Sequence, residues 1–215
     1  MIRCFVALGD SFTEGVGDTP GASGYLSRQT PEIPLYSAHH WLALWMRAAN
    51  PSLKYTNLAE RGLCVAEVRA QQMQRALNLQ PDFVSIVAGA NDCLRGPFSA
   101  ERVRAEFELM LGAFQSIGAR IFTATLPNFT LHLDLPGGFR RRLERNLEAT
   151  NRIIRELAGC YEAIFFDFWE SDLNHRAELW SQDGVHPNAL GYLETAKAVV
   201  PLLRAHGIEV QEVPV

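Results

Sequence analysis

The sequence lacks the features that mark most specialised chemistries. Only four cysteines, Cys4, Cys64, Cys93 and Cys160, occur in 215 residues, and none forms a Cys-x-x-Cys pair or another metal-type spacing. That argues against a zinc ribbon or a disulfide-stapled scaffold. It suits a reducing compartment, where cysteine behaves as a small buried hydrophobe. No apolar run approaches a membrane span, and the N-terminal run is too short for the core of a secretory signal. A soluble cytoplasmic protein is expected. Charge of one sign is never concentrated: 24 acidic and 20 basic side chains leave a net charge of -4. Arginine dominates the basic set. Its densest cluster, Arg140, Arg141, Arg142 and Arg145, is interleaved with Leu143, Glu144, Leu147 and Glu148 at helical spacing. This reads as a solvated helix face, without the acid-free basic surface that nucleic acid requires. Gly15 and Gly17 are not followed by Gly-Lys-Ser/Thr, and their spacing fits no dinucleotide fingerprint. A Pro/Gly/Ser-rich linker, an internal repeat and a low-complexity tract are all missing, so residues 1–215 read as one domain. The oligomeric state is not legible.

What the chain does have is alternation. Short apolar runs at 2–8, 53–58, 83–88, 120–125 and 163–168 alternate with helix-period segments at 37–49, 65–79, 100–117, 139–157 and 188–205. Continuous apolar runs such as Val84-Ser85-Ile86-Val87 suit strands buried on both faces. Parallel neighbours need crossover connections, which the helical segments supply. The expected fold is a three-layer α/β/α sandwich around a five-stranded parallel sheet. In such sheets ligands sit beyond the carboxyl ends of the strands.

The chemistry-bearing residues fall at those ends. Ser11, in Gly9-Asp10-Ser11-Phe12, follows the first run and Gly62 the second. Asn91, in Gly89-Ala90-Asn91-Asp92, follows the third. Asp183-Gly184-Val185-His186-Pro187 follows the fifth. A serine hydroxyl is a weak nucleophile, so it needs an imidazole to take its proton, and the imidazole needs an acceptor to fix its tautomer. Ser11, His186 and Asp183 supply those three groups. Each has a plainer reading when taken alone: Ser11 as a turn serine, His186 before Pro187 as a helix-entry residue, Gly62 as a turn glycine. Asp10 and Asp92 read as structural acceptors that shape their loops. His39 and His40 open a helix without an acidic partner, and His132 with Asp134 is a poor metal pair. Cys64 and Cys93 lie close to the site and read as packing residues. A metal-dependent phosphoesterase would want an early Asp-x-His and more histidines or acids near Asn91, and neither is there.

Taken together and in order, Gly-Asp-Ser, a lone Gly, Gly-x-Asn-Asp and Asp-x-x-His-Pro resemble the four blocks of the SGNH hydrolases, also called GDSL esterases and lipases. The resemblance runs from Gly9 to Pro187 and departs at Phe12, where the name-giving motif has leucine. It implies the flavodoxin-like strand order 2-1-3-4-5. It also implies hydrolysis of a small-molecule carboxylic ester through an acyl-serine, with no metal or organic cofactor. Ser11, Asp183 and His186 would be catalytic. The backbone N–H groups of Ser11 and Gly62 and the amide of Asn91 would form the oxyanion hole. Donors of that kind suit a developing alkoxide, since asparagine offers N–H groups without charge and glycine allows close approach. A thioesterase or a carbohydrate deacetylase would use the same residues. A catalytically silent binding module on this fold is the rival from another class. Two loops could shape a pocket: 15–34, directly after Ser11, and 126–138, with Phe129, Leu131, Leu133 and Leu135. The second is equally readable as a packed surface loop or as a wall for an acyl chain. Phe168, Trp169 and Trp180 could add aromatic surface near Asp183.

Overall fold

The computed structural model describes residues 1–17 and 37–213. Five strands, β1 (Cys4–Gly9), β2 (Lys54–Asn57), β3 (Phe83–Val87), β4 (Arg120–Ala124) and β5 (Ile164–Phe166), form one sheet in the order β2-β1-β3-β4-β5. Every neighbouring pair is parallel. The order reverses at β1, which places the end of that strand at a topological switch point, the usual position of a ligand crevice.

Period-two alternation explains why both faces of the sheet are covered. Val6, Leu8, Val84, Ile86 and Ile121 pack into one apolar cluster. Phe5, Ala7, Phe83, Phe122, Ala124 and Ile164 pack into another on the opposite side. The first face is covered by α6 (Ala100–Ser116) and α7 (Gly137–Cys160), which contribute Phe107, Met110, Phe114, Leu147 and Ile154. The second is covered by α2 (Ala38–Ala49) and α8 (Ala189–Ala205), which contribute Trp41, Trp45, Val199 and Leu203. Each large side chain so buried is worth about 1.5–3 kcal/mol. No helix among the described residues is long and apolar enough to cross a membrane.

Three local departures from the expected elements matter for the site. Ser11 does not lie in a plain loop but opens a short helix, α1 (Ser11–Glu14). The segment expected as one helix over 65–79 is α3 (Val65–Val68), a π-helical turn (Arg69–Met73) and α4 (Gln74–Asn78). β5 is only three residues long, so the aromatic residues after it leave the sheet early.

The π turn has a visible consequence. It carries Gln72, which is 1% exposed, inward beneath the end of β1. There Gln72 Nε2 donates to Gly9 O and Oε1 accepts from Gly9 N, both at 2.9 Å. Turns of this type recur at functional sites because they re-aim a side chain that a regular helix would point elsewhere. Gln72 thus pins the strand residue two positions before Ser11. Gln72→Ala is expected to lower unfolding stability by about 2–4 kcal/mol in urea titration, because it removes both side-chain bonds to buried Gly9 backbone groups. A loss below about 0.5 kcal/mol would place Gln72 among ordinary surface-like residues.

Candidate active site

Gly9 ends β1 where a side chain could not fit. A Cβ there would lie 2.2 Å from Val87 O and 2.4 Å from Thr13 Oγ1. The chain then turns through Asp10, which caps α1 by accepting from Phe12 N at 3.2 Å. Ser11, the first residue of α1, is 9% exposed. As first residue it has a backbone N–H with no partner inside the helix.

Ser11 Oγ lies 2.7 Å from His186 Nε2, across 175 residues of sequence. His186 Nδ1 lies 2.7 Å from Asp183 Oδ2. The other oxygen of Asp183 accepts from Ser181 Oγ at 2.7 Å, Val185 N at 2.8 Å and His186 N at 2.9 Å. Partial burial works against the charge of Asp183, but these hydrogen bonds prevail and hold its carboxyl down at about 2. The carboxylate is therefore ionised at any working pH, with one oxygen committed to the imidazole and the other to its own turn.

That turn is braced from several sides. Ser181 N donates to His186 O at 2.8 Å, and Trp180 bridges Pro187 in antiparallel fashion. Asn188 caps α8 by accepting from Gly191 N at 3.0 Å and donates to Glu178 O at 2.8 Å. Gly184 adopts φ +66°, and a Cβ on it would meet His132 O at 2.6 Å. Gly17, at φ +100°, has room for no side chain either, with Pro187 O at 2.3 Å and His186 Cβ at 2.9 Å from its missing Cβ. Tyr192 Oη in α8 donates to Val16 O at 2.6 Å. The segment after α1 is thereby tied to the helix that follows His186.

The third cluster lies at the ends of β2 and β3. Gly62 turns the chain at φ +82°. The next carbonyl, Leu63 O, accepts from Asn91 Nδ2 at 3.0 Å. Asn91 stands near the start of α5 (Ala90–Leu94), after the left-handed Gly89. The same nitrogen donates a longer bond, 3.4 Å, to Asp10 Oδ2. Asp92 Oδ2 accepts from Val65 N at 2.9 Å, which joins the starts of α5 and α3. The residues singled out in the sequence therefore fall into two groups. Ser11, His186 and Asp183 are hydrogen-bonded in series, and Gly62 with Asn91 forms a second group linked to the first through Asp10.

Other expectations resolve differently. Trp180 is not aromatic surface, being 8% exposed and packed in the core, whereas Phe168, equally buried, lines an apolar cavity with Phe12 and Pro187. Trp180 stacks on His132 at 4.5 Å, and His132 Nε2 pairs with Asn174 O at 2.9 Å. His39 pairs with Ser85 Oγ at 2.7 Å, and burial pushes its imidazole down to about 3. Burial pushes the Cys93 thiol up to about 12 and also raises that of Cys64, so neither is a ready thiolate. Arg141, Arg142 and Arg145 are exposed, whereas Arg140 is half-buried. It donates to Thr130 O and Leu133 O and so fastens the loop 126–138. In that loop Phe129 is fully buried, while Leu131 stays 45% exposed. The loop after Ser11 lies, beyond Gly17, outside the described residues. No group of three or more His, Cys, Asp or Glu able to hold a metal ion occurs among the described residues.

Sequence reasoning missed Gln72, Ser181 and Asn188 and gave Gly17 and Gly184 no role at the site. Those two glycines were the available signal, since each sits within a few residues of a chemical group. Gly184→Ala is expected to cost about 1–3 kcal/mol of stability through its strained left-handed backbone. Displacing the turn by even 1 Å is expected to cut kcat/KM about 100-fold. Thermal melts and ester assays on the purified variant check both.

Against this geometry, the model of the GDSL-like lipase/acylhydrolase family matches residues 7–193. No curated protein matches. Solved structures do. The α/β hydrolase enzyme LAE5 from the metagenome of Lake Arreo, Spain, is 20% identical with a TM-score of 0.72, covering 96% of this chain and 95% of that one. The lipase/acylhydrolase from Enterococcus faecalis is 18% identical with a TM-score of 0.70, covering 99% and 100%. The acetylxylan esterase Axe2 from Geobacillus stearothermophilus is 17% identical with a TM-score of 0.66, covering 94% of each chain. At these identities the likeness is one of fold.

Proposed function

The chain belongs to the GDSL-like lipase/acylhydrolase family, and on that premise we propose that it is a serine hydrolase cleaving carboxylic esters through an acyl-serine. The observation that carries this reading is the unbroken series Ser11 Oγ–His186 Nε2 and His186 Nδ1–Asp183 Oδ2, each contact 2.7 Å. Ser11 Oγ attacks the ester carbonyl carbon while its proton passes to His186 Nε2. Asp183, already ionised, holds the imidazole in the tautomer with Nε2 free to accept and balances the imidazolium that forms. The tetrahedral oxyanion is received by the N–H groups of Ser11 and Gly62 and by Asn91 Nδ2. Collapse breaks the bond to the alcohol oxygen, which takes the proton from His186. Water then repeats the sequence on the acyl-serine, giving up a proton to His186 and releasing the acid and free Ser11.

The substrate class is open to a direct screen. Aliphatic esters of graded chain length, acyl thioesters and acetylated sugars all suit this machinery, and fold alone does not choose among them. An apolar cavity lined by Phe12 and Pro187, the chain neighbours of Ser11 and His186, with Leu126, Pro127 and Phe168, favours an apolar acyl part.

Ser11→Ala is expected to reduce turnover of p-nitrophenyl esters at least about 1,000-fold with the fold intact, because the hydroxyl is the nucleophile but fills little space. A fluorophosphonate probe is expected to label the wild type and not the variant. Wild-type-like turnover by Ser11→Ala would reject the assignment, and an unlabelled wild type would favour a silent binding module.

Asn91→Ala is expected to lower kcat about 100- to 1,000-fold with little change in KM, since its amide bonds best where the oxyanion develops. A rise in KM at constant kcat would instead make Asn91 a ground-state binding residue.

A further inference from the structure

Asp10 has no hydrogen bond to Ser11 Oγ, His186 or Asp183, yet it joins their group to Asn91 and is 0% exposed. Its oxygens face donors from three segments: Phe12 N–H in α1 at 3.2 Å, Asn91 Nδ2–H in α5 at 3.4 Å, and the Gly89 N–H at the end of β3. Among the described residues no cation is paired with it. The charged and titratable groups that face it are Asp92 and the Cys93 thiol on α5, together with His186, which is bonded to the adjacent Ser11. Asp92 repels it. Burial is the larger effect, and the two together push the Asp10 carboxyl up to about 7.

A cap for α1 does not require that cost. Serine or asparagine would accept from Phe12 N–H without bringing a charge into the interior. What a carboxylate alone offers is acceptors on every side, with no donor to oppose the N–H groups around it. The group that needs this most is Asn91. Its carboxamide can be turned by 180°, and in that orientation Oδ1, not Nδ2, would face the oxyanion and repel it. Leu63 O and Asp10 Oδ2 both stand where only an N–H is tolerated.

We propose that Asp10 is the positioning residue of the oxyanion hole, its carboxylate acting with the Leu63 carbonyl to keep the nitrogen of Asn91 turned toward the reacting centre. The two bonds divide the work by length. The 3.0 Å bond to Leu63 anchors the amide, and the 3.4 Å bond to Asp10 orients the second N–H yet is weak enough to be shared with an arriving oxyanion. The proposal rests on the reading of Ser11, His186 and Asp183 as a hydrolytic site. It adds a role for a residue that sequence reasoning leaves as a structural acceptor.

Two variants and one spectrum test it. Asp10→Ser keeps a cap for Phe12 N–H but is too short to reach Asn91, and is expected to lower kcat about tenfold with KM within about threefold. Asp10→Asn keeps the size but sets an amide donor against Asn91, and is expected to lower kcat about 100-fold. The spectrum needs no turnover. In wild-type protein with 15N-labelled asparagine, the side-chain N–H signals of Asn91, assigned by their loss in Asn91→Asp, are expected to shift as pH passes through about 7 while Asp10 loses its proton. In Asp10→Ser they are expected to stay fixed. Folded variants with wild-type kcat, or Asn91 signals that ignore the wild-type transition, would overturn the proposal. The spectrum decides the matter even if both variants fail to fold. Fluorophosphonate labelling of wild-type Ser11 separates this failure from failure of the hydrolase reading, since the label reports the nucleophile and not the amide.

Discussion

The 2.7 Å contact between Ser11 and His186 is the constraint the rest of the molecule serves, because it joins loops 175 residues apart. The two loops belong to different strands and share no sheet pairing, so nothing in the ladder fixes their separation. Each is held by its own hydrogen-bonded clamps, buried on the serine side and closer to solvent on the histidine side. On the serine side, Gln72 grips Gly9 through both of its backbone groups, and Asp10 grips Phe12. On the histidine side, Asp183 binds the ring and two backbone N–H groups of its own turn, and Asn188 fixes the start of α8. Tyr192 then ties α8 to Val16, while the bare α-carbon of Gly17 lets the chain pass against His186. Catalytic geometry must hold to within about half an ångström, and such support comes from buried hydrogen bonds rather than from loops alone.

Two carboxylates near this contact have opposite surroundings, and the contrast assigns their roles. Asp183 is exposed and held down at about 2 by four hydrogen bonds from its own turn and the imidazole. Asp10 is buried beside Asp92 and pushed up to about 7. The pH dependences of stability therefore have opposite signs in separate windows. Asp183 contributes stability that is present above its unfolded value near 3.8 and is lost as pH falls toward 2. Asp10 keeps its proton in the folded protein between about 4 and about 7, so stability declines as pH rises through that window. The carboxylate bonded to the imidazole sits where charging is favourable. A group that costs stability when charged persists only where its acceptors do something a neutral residue cannot.

The layers of the fold were legible because each strand is a continuous apolar run and each crossover a helix-period segment. The residues of the candidate site were legible because their chemistry is concentrated at strand ends. Gln72 was not, because in a regular 65–79 helix it reads, like its neighbours Gln71 and Gln74, as a wet-face residue. Only the π turn, a through-space outcome of packing, brings it under β1. Trp180 was misplaced for the converse reason. β5 ends at Phe166, short of the expected 168, and the chain after it folds Trp180 back into the core. Arg140 read as part of a solvated arginine face, yet its guanidinium closes the loop 126–138 onto two carbonyls. In each case local composition was interpreted correctly and tertiary contact overrode it.

Loop 126–138 carries the last consequence of this arrangement. Leu131 is exposed, but the residues on either side of it brace the turn that carries Asp183 and His186. His132 O packs against Gly184, and the His132 ring stacks on Trp180, which bridges Pro187. Phe129 packs near Phe12, whose ring lies 5.3 Å from that of His186. The exposed position is therefore within one or two residues of those that hold the histidine turn. A change at Leu131 leaves these contacts untouched, whereas a change at Phe129 or His132 must also move Gly184 or His186.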